Sequence, residues 1–376
     1  MNIKALMPVF FHGQGVSHTC FSVCNALQGD TVRVELLVPA SKPGLSYPFV
    51  RNAIPALLRW PAYRIKPLSK RVLNWQGWRY VRSLQDGDIA YIWPGVPHDV
   101  LRAVRRRNVL MVFERVNCHQ ATGKRILDDA YLRLGWPVTH EVTDARVEEE
   151  REELALADYV FAPSPGVAQS LRDAGIPAEK ILRGTYGWDP GRFGGTEKAL
   201  PDAEGVVALF VGRACVRKGA PLLLDLWERA GIRGRLALAG HVYDDVAAHG
   251  AETLGRPDVI HFESRDDIAA VYRSADMLVL PTLEEGSPLV IYEAMACGLP
   301  VITSPMGAGD VIRDGIEGYV LDPYDQDAWV ERLRRLAADL DQRKTMAQAA
   351  RKRAQEFTWA LVGARRRETL RAAVFQ

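Results

Sequence analysis

Residues 281–298 read PTLEEGSPLVIYEAMACG, and the fold turns on them. Glu285 and Glu293 stand eight positions apart. Between them lies Gly286-Ser287-Pro288, a helix-start signal: Ser287 can cap, and Pro288 fits a first turn, where its missing N–H costs nothing. Immediately upstream, Ala275–Pro281 has the unbroken apolar pattern of a buried parallel strand. Strand, tight loop and helix together aim free backbone N–H groups and a positive helix end at the loop, where an anion can sit. Glu285 then lies on the loop beside the anion. Glu293 lies inside the helix, which Gly298 and Pro300 bring to an end. One carboxylate by the loop and one near the helix start suit the hydroxyls at the two ends of a sugar–diphosphate–nucleoside. The bland alternative is a helix with two solvated glutamates.

The whole chain repeats this strand–helix alternation. At 376 residues it is long for one ordinary domain and suits two. Candidate strands in the first half are Ile3–Phe10, Thr31–Val38, Ile89–Trp93, Val109–Phe113 and Tyr159–Ala162. The second half offers Val206–Val211, Leu236–Ala239, Val259–Phe262, Met277–Leu280, Val301–Ser304 and Gly318–Leu321. Alternation of this kind predicts α/β architecture, two doubly wound Rossmann-like domains with parallel sheets. The glycine-rich stretch Gly184–Lys198 is the expected boundary, giving domains at 1–187 and 188–356. The final segment, 357–376, reads as amphipathic helix with Trp359 near its start.

Composition excludes several classes. There are 48 basic and 46 acidic residues, so no nucleic acid or other global polyanion partner is implied. The five cysteines include no Cys-x-x-Cys pair and no metal-finger spacing, which fits a reducing cytoplasm. The apolar start is too short, and too soon broken by Pro8, for a signal peptide, and no run approaches the roughly 20 apolar residues of a membrane span. Charge is uneven locally, however. Arg51–Arg107 holds twelve Lys/Arg and three Asp, interleaved with Trp60, Tyr63, Ile65, Leu68, Trp75, Trp78 and Tyr80. Such a segment is a candidate for peripheral contact with an anionic membrane or for receiving a phosphorylated acceptor. A solvated helix face with inward aromatics is the plainer reading.

The 281–298 stretch resembles the Glu-x7-Glu motif of the family-4 retaining glycosyltransferases, which have the GT-B fold, two domains facing a cleft. The likeness extends through Gly286 and Ala294-Met295-Ala296-Cys297-Gly298-Leu299-Pro300. Many members have Phe-Gly where this chain has Ser287-Pro288. Phe210–Gly219, FVGRACVRKG, is similar to the family's Gly-Arg…Lys-Gly segment. The resemblance implies that Arg213 and Lys218 hold the donor's phosphates, Arg213 as a fork and Lys218 as a point charge. Gly13 and Gly15, directly after the first strand, permit close backbone approach to donor phosphates or acceptor. A mere tight turn is the rival reading there. Phe113–Gln120 resembles the segment where many relatives keep a histidine facing the donor sugar. His119 is the candidate, with Arg115 and Asn117 on the acceptor side. His261–Arg265 lies where relatives surround the base, and Asp310 is a near match to a family acidic position.

Together these imply transfer of a sugar from a nucleotide diphosphate sugar, UDP first and GDP second, to a hydroxyl with retention. The acceptor would be a glycan, a lipid-linked molecule or a small molecule, in surface polysaccharide or glycoconjugate synthesis. Catalysis would rest on His119, Glu285, Arg213 and Lys218. The donor would also meet Gly286, Ser287, Pro288, Leu289 and Glu293. In GT-B proteins the C-terminal helix crosses back to the first domain, which is expected here too. No cofactor and no metal are expected. Asp86-Gly87-Asp88 reads as a turn and Asp325-Gln326-Asp327 as a helix cap rather than metal motifs. The setting implied is cytoplasmic, peripheral on the membrane's inner face. The other readings are a sugar-nucleotide epimerase on the same fold and a non-catalytic nucleotide-binding scaffold.

Overall fold

Short apolar runs, bounded by Gly, Pro and Asp, form thirteen strands among the described residues of a computed structural model, which describes 1–57, 70–201, 203–263 and 267–374. The first seven are β1 (Asn2–Leu6), β2 (Arg33–Val38), β3 (Val50–Asn52), β4 (Ile89–Ile92), β5 (Leu110–Glu114), β6 (Tyr159–Ala162) and β7 (Ile181–Arg183). They make one sheet in the order β3-β2-β1-β4-β5-β6-β7. The remaining six are β8 (Val206–Val211), β9 (Gly234–Ala239), β10 (Val259–Phe262), β11 (Met277–Leu280), β12 (Val301–Thr303) and β13 (Gly318–Val320), ordered β10-β9-β8-β11-β12-β13. Neighbouring strands in both sheets pair in parallel. The winding reverses between β1 and β4 in one sheet and between β8 and β11 in the other. Open α/β sheets place ligands in the crevice outside the strand ends at such a reversal.

Four predicted strands have the expected bounds: β6, β8, β10 and β11. The first strand stops at Leu6 rather than Phe10. Pro8 has no N–H for a ladder, and the chain rejoins β2's continuation only as an isolated bridge from Phe11 to Ser41. β3 and β7 were not anticipated. Each has three residues on a sheet edge, too short to carry a periodic signal.

The core follows from the pattern. β4, β6 and β11 are almost wholly buried, as parallel strands covered on both faces must be. The helix Lys70–Ser83 is tied down by its inner face: Gln76 Nε2 donates to the carbonyls of Met7 (2.9 Å) and Leu37 (3.1 Å), and the Tyr80 hydroxyl to that of Lys4 (2.6 Å). Of the large apolar residues in the basic segment, Trp60, Tyr63, Ile65 and Leu68 lie outside the described residues.

The last helix, Trp359–Val374, lies on the first-sheet side, against the helix Gly15–Ala26. At Gly363 a Cβ would stand 2.0 Å from the Ala26 carbonyl oxygen, so glycine allows the approach. Arg367 Nη1 donates to the Ala26 (2.6 Å) and Gln28 (3.0 Å) carbonyls. The chain therefore crosses between the sheets twice, and the crossings hold each other: Trp188 N–H donates to Phe357 O and Trp359 N–H to Trp188 O. Beside them, Arg366 forks onto Glu114 at the end of β5, Nη1 to Oε2 at 2.9 Å and Nη2 to Oε1 at 3.0 Å. Tyr91 and Tyr186 hydroxyls donate to the same carboxylate, and the Gly184 and Thr185 carbonyls accept from the guanidinium. The pair is 0–1% exposed. Every partner is satisfied, which is the condition for a buried ion pair to be tolerated. Arg366→Met should lower stability by about 3–5 kcal/mol, the cost of an orphaned buried charge. Unchanged denaturant midpoints would contradict that account.

Candidate active site

The loops after β8 and β11 meet at the reversal of the second sheet. Gly219 has φ +69°, and a Cβ there would sit 1.9 Å from the Pro281 carbonyl oxygen, so only glycine lets the two backbones touch. One turn of 3-10 helix, Val216–Lys218, precedes it. The Thr282 hydroxyl donates to the Arg217 carbonyl at 3.2 Å and ties the loops together. This contact sets two cations against two carboxylates. Lys218 Nζ is in direct ion contact with Glu285 Oε1. Arg217 Nη1 lies 3.4 Å from Glu284 Oε2 and 3.5 Å from Glu285 Oε1, and donates to the Glu284 carbonyl at 3.1 Å. Burial, with Arg217 beside it, brings the Lys218 ammonium down to about 7. Arg213 stays exposed, 3.3 Å from the Tyr243 hydroxyl.

Glu293 sits in the helix Leu289–Ala296 and accepts from the Tyr272 hydroxyl at 2.9 Å. Burial raises its carboxyl above the usual range. The helix start differs from expectation. Pro288 occupies the N-cap and Leu289 opens the helix, while Ser287 caps nothing: its hydroxyl pairs with that of Tyr292 at 2.6 Å. Ser287 is buried, so its oxygen takes a partner in the core instead of a backbone N–H.

The first sheet closes onto this corner through the loop after β5. At Gly286 a Cβ would stand 1.9 Å from the Val116 carbonyl oxygen. Cys118 N–H donates to Glu284 Oε1 at 3.1 Å. Two residues assigned from sequence to this side do something else. The His119 Nδ1 caps the helix Gln120–Leu134 by accepting from Ala121 N–H at 3.2 Å, and its Nε2 faces Glu150 at 3.4 Å. Both ring nitrogens are thus engaged within the first domain. An Nδ1 that must accept disfavours the imidazolium, and burial with Arg115 nearby lowers the ring to about 4. Arg115 is buried and ion-paired with Glu150, with Glu153 3.7 Å away. In this structure His119 and Arg115 thus bond within the first domain and hold the 115–119 loop. Asn117 remains half-exposed at the interface.

A cavity of about 530 Å³ opens beside the charged corner, bounded by Asn117 and Cys118 on one side and by Arg213, Arg217, Tyr243 and Glu284 on the other. Lys218 and Glu285 lie behind its wall rather than on it. Gly13 and Gly15 take φ +78° and +54° at the end of the first sheet, and a Cβ on Gly15 would meet nothing within 4 Å, so that loop edge is open. Asp310 pairs with Arg183 at 3.0 Å. His261 Nε2 is 2.7 Å from the Gly240 carbonyl oxygen, while Ser264 and Arg265 lie outside the described residues. Asp88 accepts from Gln85 N–H in a turn, and Asp325 caps the helix Gln326–Ala338. Arg217 and Glu284 are central to the corner and were assigned no role from sequence. Each is the immediate neighbour of a residue that was, which was the available signal. Tyr272 and Tyr243 carried none.

Residues 196–353 match the family model described as glycosyl transferases group 1. D-inositol 3-phosphate glycosyltransferase of Salinispora arenicola is 38% identical over 113 residues, 29% of this chain and 25% of that protein. The enzyme of the same name from Actinosynnema mirum is 33% identical over 241 residues, 57% of each chain. The chain thus spans from a quarter to just over half the length of these relatives. Sucrose-phosphate synthase of Thermosynechococcus elongatus superposes with a TM-score of 0.77 over 99% of this chain and 98% of that one, at 20% identity. Anabaena HepE in complex with UDP and glucose superposes with a TM-score of 0.71 over 99% and 100%, at 16% identity. The two-domain architecture is the GT-B fold.

Two outcomes test the geometry. The lowered His119 pKa means that the unfolded chain binds the proton more readily, so this site's stability is present above about 6.5 and is lost as pH falls toward about 4. Asn caps as well and cannot take the proton. His119→Asn should therefore flatten the acid limb of the melting temperature between those values; an unchanged limb would refute the assignment. Gly286→Ala should separate the loops and expose Cys118, now buried, to thiol reagents. Equal labelling of variant and parent would count against that contact.

Proposed function

We propose that this chain is a retaining glycosyltransferase that moves a sugar from a nucleotide diphosphate sugar to an acceptor hydroxyl. The observation that carries the reading is the corner at the β8/β11 reversal, where Lys218 and Arg217 face Glu284 and Glu285 while Glu293 stands one helix deeper. In the corner the two basic side chains are paired with two carboxylates. An arriving diphosphate takes Lys218 and Arg217 as its counter-charges, with Arg213 added from the rim. That frees Glu285 to accept from sugar hydroxyls, and Glu293 receives the ribose.

Chemically, the bond from the anomeric carbon to the leaving phosphate oxygen breaks and a bond to the acceptor oxygen forms on the same face. The acceptor proton passes to the departing phosphate. Charge builds on the diphosphate, where Lys218, Arg217 and Arg213 already stand, and pre-placed charge of this kind is usually the largest catalytic contribution. With three cations available, we assign no metal to the step. His119 and Arg115 act only by holding the 115–119 loop. Asn117, on the cavity wall, is the acceptor-side residue of this reading.

UDP is the first base to test, with GDP next. Relatives named for inositol 3-phosphate and a neighbour solved with UDP and glucose support a UDP-sugar donor and a polyol acceptor. The chain should gain melting temperature with one of UDP, GDP, ADP or TDP, since a ligand at a hundred times its dissociation constant adds about 2.7 kcal/mol. Glu293→Ala should abolish the gain. Lys218→Ala should cut kcat by roughly 100-fold or more, as loss of a transition-state charge partner does. Undiminished turnover in that variant would sink the phosphate assignment, and turnover without any acceptor would point to an epimerase.

A further inference from the structure

We propose that the outer face of the helix Lys70–Ser83 docks on an anionic phospholipid surface. Its inner face is fully committed. Gln76 and Tyr80 bond into the sheet, and at Gly77 a Cβ would stand 2.2 Å from the Val100 side chain. The face turned outward carries Arg71, Trp75, Trp78 and Arg82, spaced as one stripe of an α-helix.

Trp75 and Trp78 are 46% and 50% exposed and stack on each other at 5.1 Å. The Arg82 guanidinium lies 4.7 Å from the Trp78 ring centroid, on the same stripe. Stacked indoles flanked by cations are an uncommon use of a solvated surface and suit the headgroup layer, where Trp settles and basic side chains meet anionic lipid. Trp75 Nε1 donates to the Ala53 carbonyl at 3.3 Å, so the pair is held in place rather than swinging free.

Charge selects the sign of the partner. No Asp or Glu occurs between Arg51 and Gln85, whereas Lys70, Arg71, Arg79 and Arg82 all lie on this helix. The nearest acid on the neighbouring helix His98–Arg105 is Asp99, which is already paired with Arg102 at 2.6 Å. Arg106 at that helix's end is exposed too, while Arg105 is paired with Asp158 at 2.8 Å. The surface therefore presents a basic field around an apolar centre, complementary to anionic headgroups over acyl chains.

Position gives the contact a use. Val72, near the helix start, packs with Phe10, Ala40 and Ile54, residues just past the ends of β1, β2 and β3. That is the same sheet edge from which the Gly13–Gly15 loop opens. A chain seated on lipid by this face keeps that edge close to the membrane plane. Among the described residues no helix is long and apolar enough to cross a membrane, so the contact would be a surface one.

The test is flotation of the full chain with vesicles of phosphatidylcholine alone or with about one third phosphatidylglycerol, across salt. The expected result is recovery with the anionic vesicles only, falling as salt rises. Arg71→Glu/Arg82→Glu and Trp75→Ser/Trp78→Ser should each weaken it at least about tenfold with an unchanged melting temperature. The charge-reversal pair keeps the test decisive if removing the Trp75 bond harms folding. Equal recovery from both vesicle types, or variants that float like the parent, would overturn the proposal. So would tighter capture by duplex nucleic acid than by vesicles with the same dependence on the variants, which would reassign the face to a soluble polyanion.

Discussion

Three backbones meet at van der Waals limits around one corner, and the rest of the molecule is arranged to let them. A Cβ at Gly219 would lie 1.9 Å from the Pro281 carbonyl oxygen, and one at Gly286 the same distance from that of Val116. The first approach joins the loops after β8 and β11. The second brings the loop after β5, from the other sheet, onto the first two. No side chain larger than hydrogen fits at either point, so the glycines are geometric requirements of the cleft rather than sources of flexibility.

That crowding controls the electrostatics. Lys218, Arg217, Glu284 and Glu285 are drawn out of bulk water by the same approach that juxtaposes them. A buried charge needs a partner, and here each cation finds a carboxylate within 3.5 Å. The corner thus sets two basic groups against two acids, four ionisable groups whose pairing an anionic ligand can rearrange. A site composed only of cations would repel itself at this burial, and the matched acids relieve that repulsion. The Cys118 N–H on Glu284 extends the arrangement across the interface.

Two distant features keep the halves in register. The paired crossings at Trp188 and Phe357–Trp359 connect the sheets, and the Arg366–Glu114 fork anchors the last helix to the end of β5. Glu114 directly precedes the loop that carries Asn117 and Cys118. The final helix therefore reaches the candidate site through one buried ion pair, although it contributes no residue to the cavity wall.

Much of this was legible in the amino-acid order. Unbroken apolar runs marked the buried strands β6, β8 and β11, because a parallel strand covered on both faces leaves no room for alternation, and all three were bounded correctly. The 275–298 stretch announced strand, loop and helix, and its Glu285 does meet Lys218 of the earlier loop. The basic, aromatic tract was visible from composition. Side-chain allegiance was not. His119 and Arg115 were read toward the cleft, yet both turn to Glu150, more than thirty residues on, and Ser287 prefers Tyr292 to its own helix start. β3 and β7 are too short for a pattern and exist only because a neighbouring strand supplies their hydrogen bonds. Periodicity, glycine and proline act within a few residues, so the sequence determined the elements and the loops that can carry chemistry. Which buried polar atom satisfies which depends on groups brought together from far along the chain, and that only the tertiary structure decided.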